Sequence, residues 1–358
     1  MNAPMAFPAA AVAVERIDPM DRDAAAQVDT FILADPDSSP FQRPAWVRAV
    51  AAATGNRAHM IVARDGQGAI AGSVALNHVR SMLFGNALVS AGFAIDGGIA
   101  ARDPATGQAL ADAVWALARE LGCPTAELRG GLAPQQGWRV VEGHHLNFVR
   151  PLAADSEAEL ARSPRKHRAE IRKALGNADL RAVHGRSDAL LDQHYGIYAQ
   201  SVRNLGTPVF PRSLFREMLA AFGEDADLTV IYDRDRPVSA VFSLYHHNVV
   251  MPYWGGGIAD ARRLRSNELL YFSLMDYARA RGCTHFDFGR SKVGSGQAAW
   301  KKSWGFEGTP LTYHVREDGA PRDINPDSTK YRAQVALWKK LPLPVANLIG
   351  PWISRGLG

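Results

Sequence analysis

The stretch from Thr284 to Phe306 gathers side chains that handle protons and anions within a short span of chain. Asp287 lies near the end of a short apolar segment, and Arg290, Ser291 and Lys301 follow it. A carboxylate in such a place acts as a general base or orients a nucleophile, whereas arginine and lysine suit phosphate or carboxylate groups. The alternative is a structural carboxylate that accepts hydrogen bonds from backbone amides of the glycine-rich loop after it.

A strand and a helix must hold these side chains in place. Aromatic and polar residues alternate over 284–288, which predicts a strand with Asp287 on its polar face. The preceding segment has helical spacing, with Ser266 as the N-cap and Gly282 after the last turn. Tyr253 closes the strand predicted before that helix, and its phenol is either a proton donor at the same cleft or part of the core. Polar groups therefore collect beyond the carboxyl ends of strands, where α/β sheets place ligands.

Length and composition set the broad class of the protein. The chain has 358 residues, enough for two domains, with 47% hydrophobic and 22% charged residues, as in folded proteins. The net charge of +5 is mild, so it favours anionic ligands and gives no reason to expect DNA. Two cysteines without CxxC spacing predict neither a metal site nor disulfides. No apolar run reaches the ~18 residues that span a bilayer, and residues 1–14 lack the basic start of a signal peptide, so we expect a cytoplasmic protein.

The predicted elements occur twice in the same order. Each half is predicted to run through a strand, two helices, three strands, a helix and further strands, and the second copy follows after roughly 160–170 residues. We therefore predict an α/β (α+β) protein with two tandem domains, 12–155 and 163–318, of mixed sheets flanked by helices, and a helical tail over 325–358. One long strand is predicted over 139–149. Two unrelated α/β domains are the alternative, because residue identity between the halves is slight.

The element order is similar to that of the GNAT acyltransferase superfamily, and three motifs resemble those of the Fem-type (FemAB) aminoacyltransferases. The segment FQRPAW, with Gln42 and Trp46, resembles the family's early Gln-x-x-x-Trp box. SPRKHRAEIRKA, from Ser163, resembles its basic helix between the domains. FDFGRS, from Phe286, together with KKSWGF, from Lys301, resembles its terminal signature. That signature is close to the one in the subgroup found alongside the PEP-CTERM/exosortase system of bacteria.

The resemblance implies an enzyme that transfers an acyl or aminoacyl group directly, with acyl-CoA or aminoacyl-tRNA as donor and no metal. The implied acceptor is an amine or hydroxyl of a peptidoglycan, exopolysaccharide or other envelope glycan precursor, either a small molecule or lipid-linked. Partners would then include tRNA only for the second donor, and no DNA. The alternative is a non-catalytic protein of the same fold that binds polysaccharide precursors or assembly partners.

The resemblance also assigns roles to individual residues. The basic helix is predicted to bind acceptor phosphates, and its three arginines fall on one side beside an apolar seam, although a solvated surface is the alternative. The residues predicted to bind substrate are Arg165, Arg168, Arg172, Gln42, Trp46, Arg290, Ser291 and Lys301. Trp46 is expected in the core as well. The predicted catalytic pair is Asp287 and Tyr253.

The turn that normally holds the coenzyme A pyrophosphate departs from the superfamily's pattern. Its usual glycines are replaced by the segment RRLRSN over 262–267. The residues predicted to bind the donor are Arg263, Arg265, Ser266 and Asn267, because arginines and a helix N-terminus attract phosphate. The long coiled-coil arm of many Fem enzymes does not occur, which favours an acyl thioester over aminoacyl-tRNA as donor and leaves both open. The tail from Trp338 mixes lysine, proline and tryptophan, which predicts either peripheral contact with the inner face of a membrane or packing on its own domain.

Overall fold

The computed structural model describes residues 12–319 and 331–358. The first eleven residues, and the first part of the predicted tail over 325–330, lie outside the described residues. Elements of the first half are β1 (Ala13–Ile17), α1 (Arg22–Leu33), α2 (Pro44–Thr54), β2 (Arg57–Arg64), β3 (Ile70–Ser81), β4 (Gly85–Ser90), β5 (Ala100–Ala101), α3 (Pro104–Glu120), β6 (Thr125–Arg129), β7 (Arg139–Val141), β8 (His145–Asn147) and β9 (Val149–Pro151).

Two helices, α4 (Ser156–Arg162) and α5 (Arg165–Leu175), connect the halves. Elements of the second half are β10 (Leu180–Gly185), α6 (Asp188–Leu205), α7 (Arg212–Phe222), β11 (Ala226–Asp233), β12 (Arg236–His246), β13 (Val249–Gly257), α8 (Ala261–Leu264), α9 (Ser266–Ala280), β14 (His285–Asp287), β15 (Ser291–Lys292), α10 (Gly296–Ser303), β16 (Thr309–Pro310) and β17 (Tyr313–Glu317). The chain ends in α11 (Arg332–Trp338) and α12 (Leu343–Ser354). The predicted repetition of one strand, two helices and three strands is confirmed.

The two halves exchange strands. The sheet of the first half runs β1-β2-β3-β4-β6-β17-β7, so its sixth strand comes from the end of the second half. The sheet of the second half runs β10-β11-β12-β13-β14-β9, so its last strand comes from the first half. Backbone hydrogen bonds therefore cross between the halves in both directions.

The single strand predicted over 139–149 is wrong. Three short strands replace it, and each belongs to a different sheet: β7 pairs with β17, β8 pairs with β15 and β16, and β9 pairs with β14. Gly143, at φ 78°, lies between the first two strands in a backbone region that other residues seldom adopt. This segment carries the chain from one sheet to the other.

Aromatic packing and one buried cation join α2 of the first half to α7 and β13 of the second. Trp46 is fully buried, and its ring lies 6.3 Å from that of Phe222 on α7. Arg43 donates hydrogen bonds at 2.8 Å to Asp29 of the first half and at 2.8 Å to Asp225 of the second. Removing either carboxylate would leave a buried guanidinium partly unpaired, so the contact ties the halves together.

Among residues 12–319 and 331–358, none of the helices has both the length and the apolarity needed to cross a bilayer.

Candidate functional site

Two parallel strands of the second half separate and leave a cleft. β13 and β14 pair at Val249 with His285 and at Val250 with Phe286. Beyond these positions β13 continues along β12 to Gly257, whereas the chain after β14 turns away into the loop at Gly289. The gap holds a cavity of about 610 Å³, which we call the β13–β14 cleft. The sequence predicted a ligand site beyond the carboxyl ends of these strands.

The floor of the cleft is backbone with little side chain over it. Gly255, Gly256 and Gly257 end β13, and each lies against a neighbouring element. A Cβ on Gly256 would lie 2.3 Å from the Oγ of Ser201 on α6, and one on Gly257 would lie 2.4 Å from the Cβ of Ala261. Side chains are therefore excluded here by packing, and a ligand meets peptide groups directly.

A β-bulge places Tyr253 at the point where the strands part. Phe242 of β12 faces Trp254 and Ser243 faces Pro252, so Tyr253 is the extra residue of β13. Its phenol donates a hydrogen bond to the carbonyl of Phe93, 2.9 Å away, and its ring packs against Phe41 and Trp46. Burial raises the pKa of Tyr253 well above the usual range. Tyr253 therefore lines the cleft as predicted, with its proton already bonded to the first half.

The carbonyl of Trp254, next to this bulge, accepts a hydrogen bond from a buried histidine. His194 of α6 is fully buried, and its Nε2 lies 2.7 Å from the carbonyl oxygen of Trp254. A carbonyl only accepts, so this nitrogen carries the proton. Burial lowers the pKa of His194 to about 4, which keeps the ring neutral. His194 fixes the end of β13, a role that its sequence context on an amphipathic helix did not indicate.

Lys301 lies in the wall of the cleft. Its Nζ donates hydrogen bonds to the carbonyls of Gly289, at 2.9 Å, and Arg290, at 3.1 Å. Only 8% of the residue is exposed, and burial lowers the pKa of Lys301 to about 8, opposed by the negative charge of Asp287. The ammonium group therefore holds the loop after β14 and supplies positive charge at the cleft.

Asp287 lies beneath the loop, outside the described lining of the cleft. Its Oδ1 accepts a hydrogen bond of 2.7 Å from the backbone amide of Gly289, and its Oδ2 accepts one of 3.5 Å from Asn147. Burial, with a smaller contribution from the charge of buried Asp96, raises the pKa of Asp287 to about 6. These contacts match those expected of a structural carboxylate, while the raised pKa suits a proton acceptor.

Arg290 joins the cleft to the first half, whereas Ser291 does not face it. Arg290 donates a hydrogen bond of 2.8 Å to the hydroxyl of Tyr313, which in turn donates to the carbonyl of Ile95 at 2.9 Å. Arg290 and Ile95 both line the cleft. Ser291 is buried in β15, which pairs with β8. One wall of the site is thus shared by both halves.

The residues predicted to bind the donor are only partly at the cleft. Asn267 lines it, and its side-chain oxygen has no protein partner among the described residues. Arg263 lies 3.7 Å from Asp260, and Arg265 pairs with Glu170 of α5. Ser266 is the first residue of α9 and bonds to the Oγ of Ser239 at 2.6 Å, so the predicted N-cap role of its side chain is wrong.

The same turn shows which residue replaces the glycine and which arginine was missed. Arg265 takes φ 58°, a left-handed conformation that usually requires glycine. Arg262, to which the sequence assigned no role, is exposed and lines the cleft. No spacing rule separates Arg262 from Arg263, since only the short α8 turn decides which of them faces the cavity.

Tyr271, Gln297 and Trp300 also line the cleft and were not predicted to do so. Tyr271 of α9 packs on Phe288 at 5.0 Å and on Trp300 of α10 at 5.2 Å. Burial raises the pKa of Tyr271 to about 12. Tyr271 lies four residues after Asn267, one helical turn along the same face of α9. This spacing, read from the predicted position of Asn267, would have identified Tyr271 as a lining residue.

The arginines of α5 lie away from the cleft, whose described lining contains none of the three. Arg168 donates hydrogen bonds to the carbonyls of Ala161, at 2.8 Å, and Ser163, at 3.1 Å, at the end of α4. Arg165 and Arg172 are exposed. In the first half, Gln42 is buried and bonds to Ser39 and Gly98.

Trp46 donates a hydrogen bond of 2.9 Å to the carbonyl of Gly92, and its ring packs against that of Tyr253. Within the described ranges, no group of three or more histidine, cysteine, aspartate or glutamate residues is arranged to hold a metal ion.

Residues 161–302 match the family model described as the acetyltransferase (GNAT) domain. A search of curated proteins found no match. The chain is similar to the crystal structure of FemX, with a TM-score of 0.64 and 15% identity over 83% of this chain and 96% of that one.

Two further structures resemble most of the chain. One is a tandem GNAT protein from the clavulanic acid biosynthesis pathway, with a TM-score of 0.58 and 13% identity over 87% of this chain and 100% of that one. The other is the C-terminal domain of a putative lysylphosphatidylglycerol synthetase from Agrobacterium fabrum, with a TM-score of 0.57 and 13% identity over 93% of this chain and 98% of that one. At these identities the likeness shows the fold, which is that of two tandem GNAT units.

Proposed function

Starting from this tandem GNAT fold, we propose that the protein transfers an acyl or aminoacyl group to an amine or hydroxyl in the β13–β14 cleft. The observation that carries the proposal is the parting of β13 and β14 over exposed backbone, with Lys301, Arg262 and Asn267 around the gap. The match of residues 161–302 to the GNAT domain family supports the same class of reaction.

The donor is proposed to lie with its carbonyl above the bulge at Tyr253. Tyr253 has no partner in the register of β12, and backbone amides at this bulge are proposed to polarise that carbonyl. Asn267 also lines the cleft, and its side chain is proposed to contact the donor. Arg262 is the arginine proposed to hold donor phosphate. Arg263 and Arg265 are engaged in ion pairs with Asp260 and Glu170, respectively.

Transfer is proposed to be direct. The acceptor nitrogen or oxygen attacks the donor carbonyl, a new amide or ester bond forms, and the bond to the leaving thiolate or ribose oxygen breaks. The acceptor's proton leaves through Asp287 or solvent, and the leaving group takes a proton from Tyr253 or from solvent. The ammonium group of Lys301 stabilises negative charge as it develops, so positioning and electrostatics carry most of the rate.

The acceptor is proposed to be an envelope glycan precursor of the peptidoglycan or exopolysaccharide type, which is what the resemblance to the Fem-type motifs and to the PEP-CTERM-associated subgroup implies. It would approach from the first half, whose Phe93 and Ile95 line the cleft. Its anionic part is proposed to meet the exposed Arg165 and Arg172 of α5, with Arg168 supporting that helix.

One observation favours the alternative of a non-catalytic precursor-binding protein. The side chain of Arg265 and its ion pair with Glu170 occupy the turn in which a glycine would admit the donor's pyrophosphate. The donor therefore depends on side chains rather than on a backbone cradle, and its affinity decides between the two functions.

Titration of the full chain with acetyl coenzyme A and with aminoacyl-tRNA, each at low and high salt, tests the proposal. Saturable binding of either donor that Arg262→Gln weakens supports a transferase with its donor in this cleft. Steeply salt-dependent binding of tRNA with no response to coenzyme A identifies the aminoacyl donor. Failure of both donors to bind overturns the transferase proposal and leaves the non-catalytic alternative.

A further inference from the structure

The last helix, α12, packs on the body of the protein through its smallest side chains. Its buried residues Ala346, Gly350 and Ser354 are spaced four apart and form one narrow face. A Cβ on Gly350 would lie 2.9 Å from the Cγ1 of Val209 and 3.0 Å from its backbone nitrogen. The helix backbone thus rests directly on the loop between α6 and α7.

The opposite face of α12 carries its large apolar side chains, and they are exposed. Val345, Leu348, Ile349 and Trp352 follow the spacing of one helical face, and Leu348 and Trp352 are 80% and 50% exposed. A surface helix of a globular protein normally shows the reverse pattern, with its apolar stripe towards the core. This face therefore has no covering partner among the described residues.

The turn between β3 and β4 continues the same surface. Met82 and Leu83 at its tip are 92% and 49% exposed. They line a groove of about 470 Å³ together with Trp352 and Arg355, so the two elements adjoin. We call the six exposed apolar side chains of these elements the apolar rim: Met82, Leu83, Val345, Leu348, Ile349 and Trp352.

The charged side chains on the segments that carry the apolar rim, or lead into it, have one sign. Arg80, Lys339, Lys340 and Arg355 are exposed on the segments that carry it or lead into it. Neither 79–90 nor 331–358 contains an aspartate or glutamate. A surface that combines apolar side chains, a tryptophan and basic residues matches the boundary of a bilayer with anionic lipids.

We propose that the apolar rim inserts into the headgroup region of a membrane that contains anionic lipids. The 12 residues of α12 are too few to cross a bilayer, so the helix lies along the surface. The apolar side chains enter the boundary of the acyl chains, Trp352 sits at headgroup level, and the basic residues meet lipid phosphates.

The position of α12 relative to the cleft gives this surface a consequence for the reaction. Gly350 contacts Val209, and the next residue, Phe210, lines the β13–β14 cleft. A membrane-bound molecule therefore holds its cleft close to the bilayer, where a lipid-linked acceptor presents its glycan. This consequence rests on the proposed function, whereas the membrane surface itself does not.

Co-sedimentation of the full chain with vesicles tests the proposal. We expect binding to vesicles of phosphatidylcholine with phosphatidylglycerol, weaker binding to phosphatidylcholine alone, and weakening by salt. The affinity of the double variant Leu348→Ser/Trp352→Ser for vesicles should fall at least about tenfold, because it removes two inserting side chains. The double variant Arg80→Gln/Arg355→Gln should lose affinity for the anionic vesicles only.

The matched control is Leu33→Ser/Leu175→Ser, which removes two exposed leucines on α1 and α5, 43% and 47% exposed. It should bind vesicles as the original chain does. Met82→Ser/Leu83→Ser, at the hairpin, repeats the test on the other element and applies even if α12 does not tolerate substitution. Donor titration on every variant keeps the membrane proposal separate from the transferase proposal, because the donor lies in the cleft.

Absence of sedimentation with the anionic vesicles overturns the proposal, as does unchanged binding by both apolar double variants. A lipid-free chain that is dimeric by analytical ultracentrifugation, with Leu348→Ser/Trp352→Ser monomeric, would overturn it in favour of an interface between two copies.

Discussion

Trp46 of the first half stacks on Trp254 of the second, with ring centroids 5.5 Å apart and an angle of 20° between the planes. Trp254 belongs to β13 and lines the β13–β14 cleft, and the adjacent Tyr253 meets the edge of the same Trp46 ring at 5.5 Å. The strand that shapes the cleft is therefore supported by a side chain from the other half. The cleft depends on how the halves meet as much as on the second half itself.

Replacing Trp46 with alanine should destabilise the protein by about 3–5 kcal/mol, the usual cost of removing a large buried aromatic ring. Denaturant unfolding measures the change. Trp46→Phe is the matched control, and it should lose much less because most of the ring contact persists. A loss below ~1 kcal/mol for Trp46→Ala would show that the two halves do not support each other through this contact.

Replacing Lys301 with methionine should lower the turnover of the transfer reaction by roughly 10²–10³-fold, the range for removing one electrostatic stabiliser. Because burial lowers the pKa of Lys301 to about 8, the charged fraction falls as pH rises through that value, and turnover should fall with it. Lys301→Arg keeps its charge, so its turnover should not fall over the same interval. A Lys301→Met variant with the original turnover and pH profile would show that the lysine only positions the loop.

Two substitutions at Asp287 separate its catalytic and structural roles. Asp287→Asn keeps an oxygen that accepts from the amide of Gly289, whereas Asp287→Ala leaves that amide unpaired. If the carboxylate accepts the acceptor's proton, both variants should lose roughly 10²–10⁴-fold in turnover. If it is structural, Asp287→Asn should keep most of its activity, and Asp287→Ala should lose about 1–3 kcal/mol of stability. Rate and unfolding must be measured on the same preparations.

Arg262→Gln should weaken donor binding by about 1.5–3 kcal/mol, the range for a hydrogen bond to a charged group. The control is Arg263→Gln, since the neighbouring Arg263 is also exposed but is engaged with Asp260 outside the described lining of the cleft. Isothermal titration with the donor measures both variants. Equal weakening in the two would indicate a diffuse positive field rather than a phosphate contact at Arg262.

His194 should make the protein sensitive to acid. Burial lowers its pKa in the folded state to about 4 from 6.5, so the unfolded chain binds more protons between those values. The contribution of His194 to the free energy of unfolding is therefore fully present above pH 6.5. It is lost as pH falls towards 4, which lowers the free energy of unfolding by up to about 3 kcal/mol.

His194→Gln keeps a donor for the carbonyl of Trp254 and should lose less stability over this interval. Unfolding curves at several pH values measure the difference between the two proteins. A His194→Gln variant with the same acid sensitivity as the original chain would assign the effect to other buried histidines.

The sequence alone determined the repeated element order and the place of the cleft. Both follow from local rules: apolar periodicity locates helices and strands, and glycines mark the loops between them. The end of the strand before α9 and the loop after β14 were therefore predicted as the site, and Tyr253, Lys301 and Asn267 do line it. These residues lie close to strand and helix ends, so their direction followed from the element to which they belong.

Only the tertiary structure decided the features that depend on distant segments. The exchange of β9 and β17 between the sheets is set by strand pairing across the chain, and no local pattern in 139–149 reports which sheet each short strand will join. The carboxylate of Asp287 lies beneath its loop, where it accepts a hydrogen bond from the amide of Gly289. The α8 turn directs Arg262, and not Arg263, towards the cleft. The exposed apolar face of α12 is likewise decided in three dimensions. Gly350 fits closely against Val209, and that fit leaves Leu348 and Trp352 facing outwards.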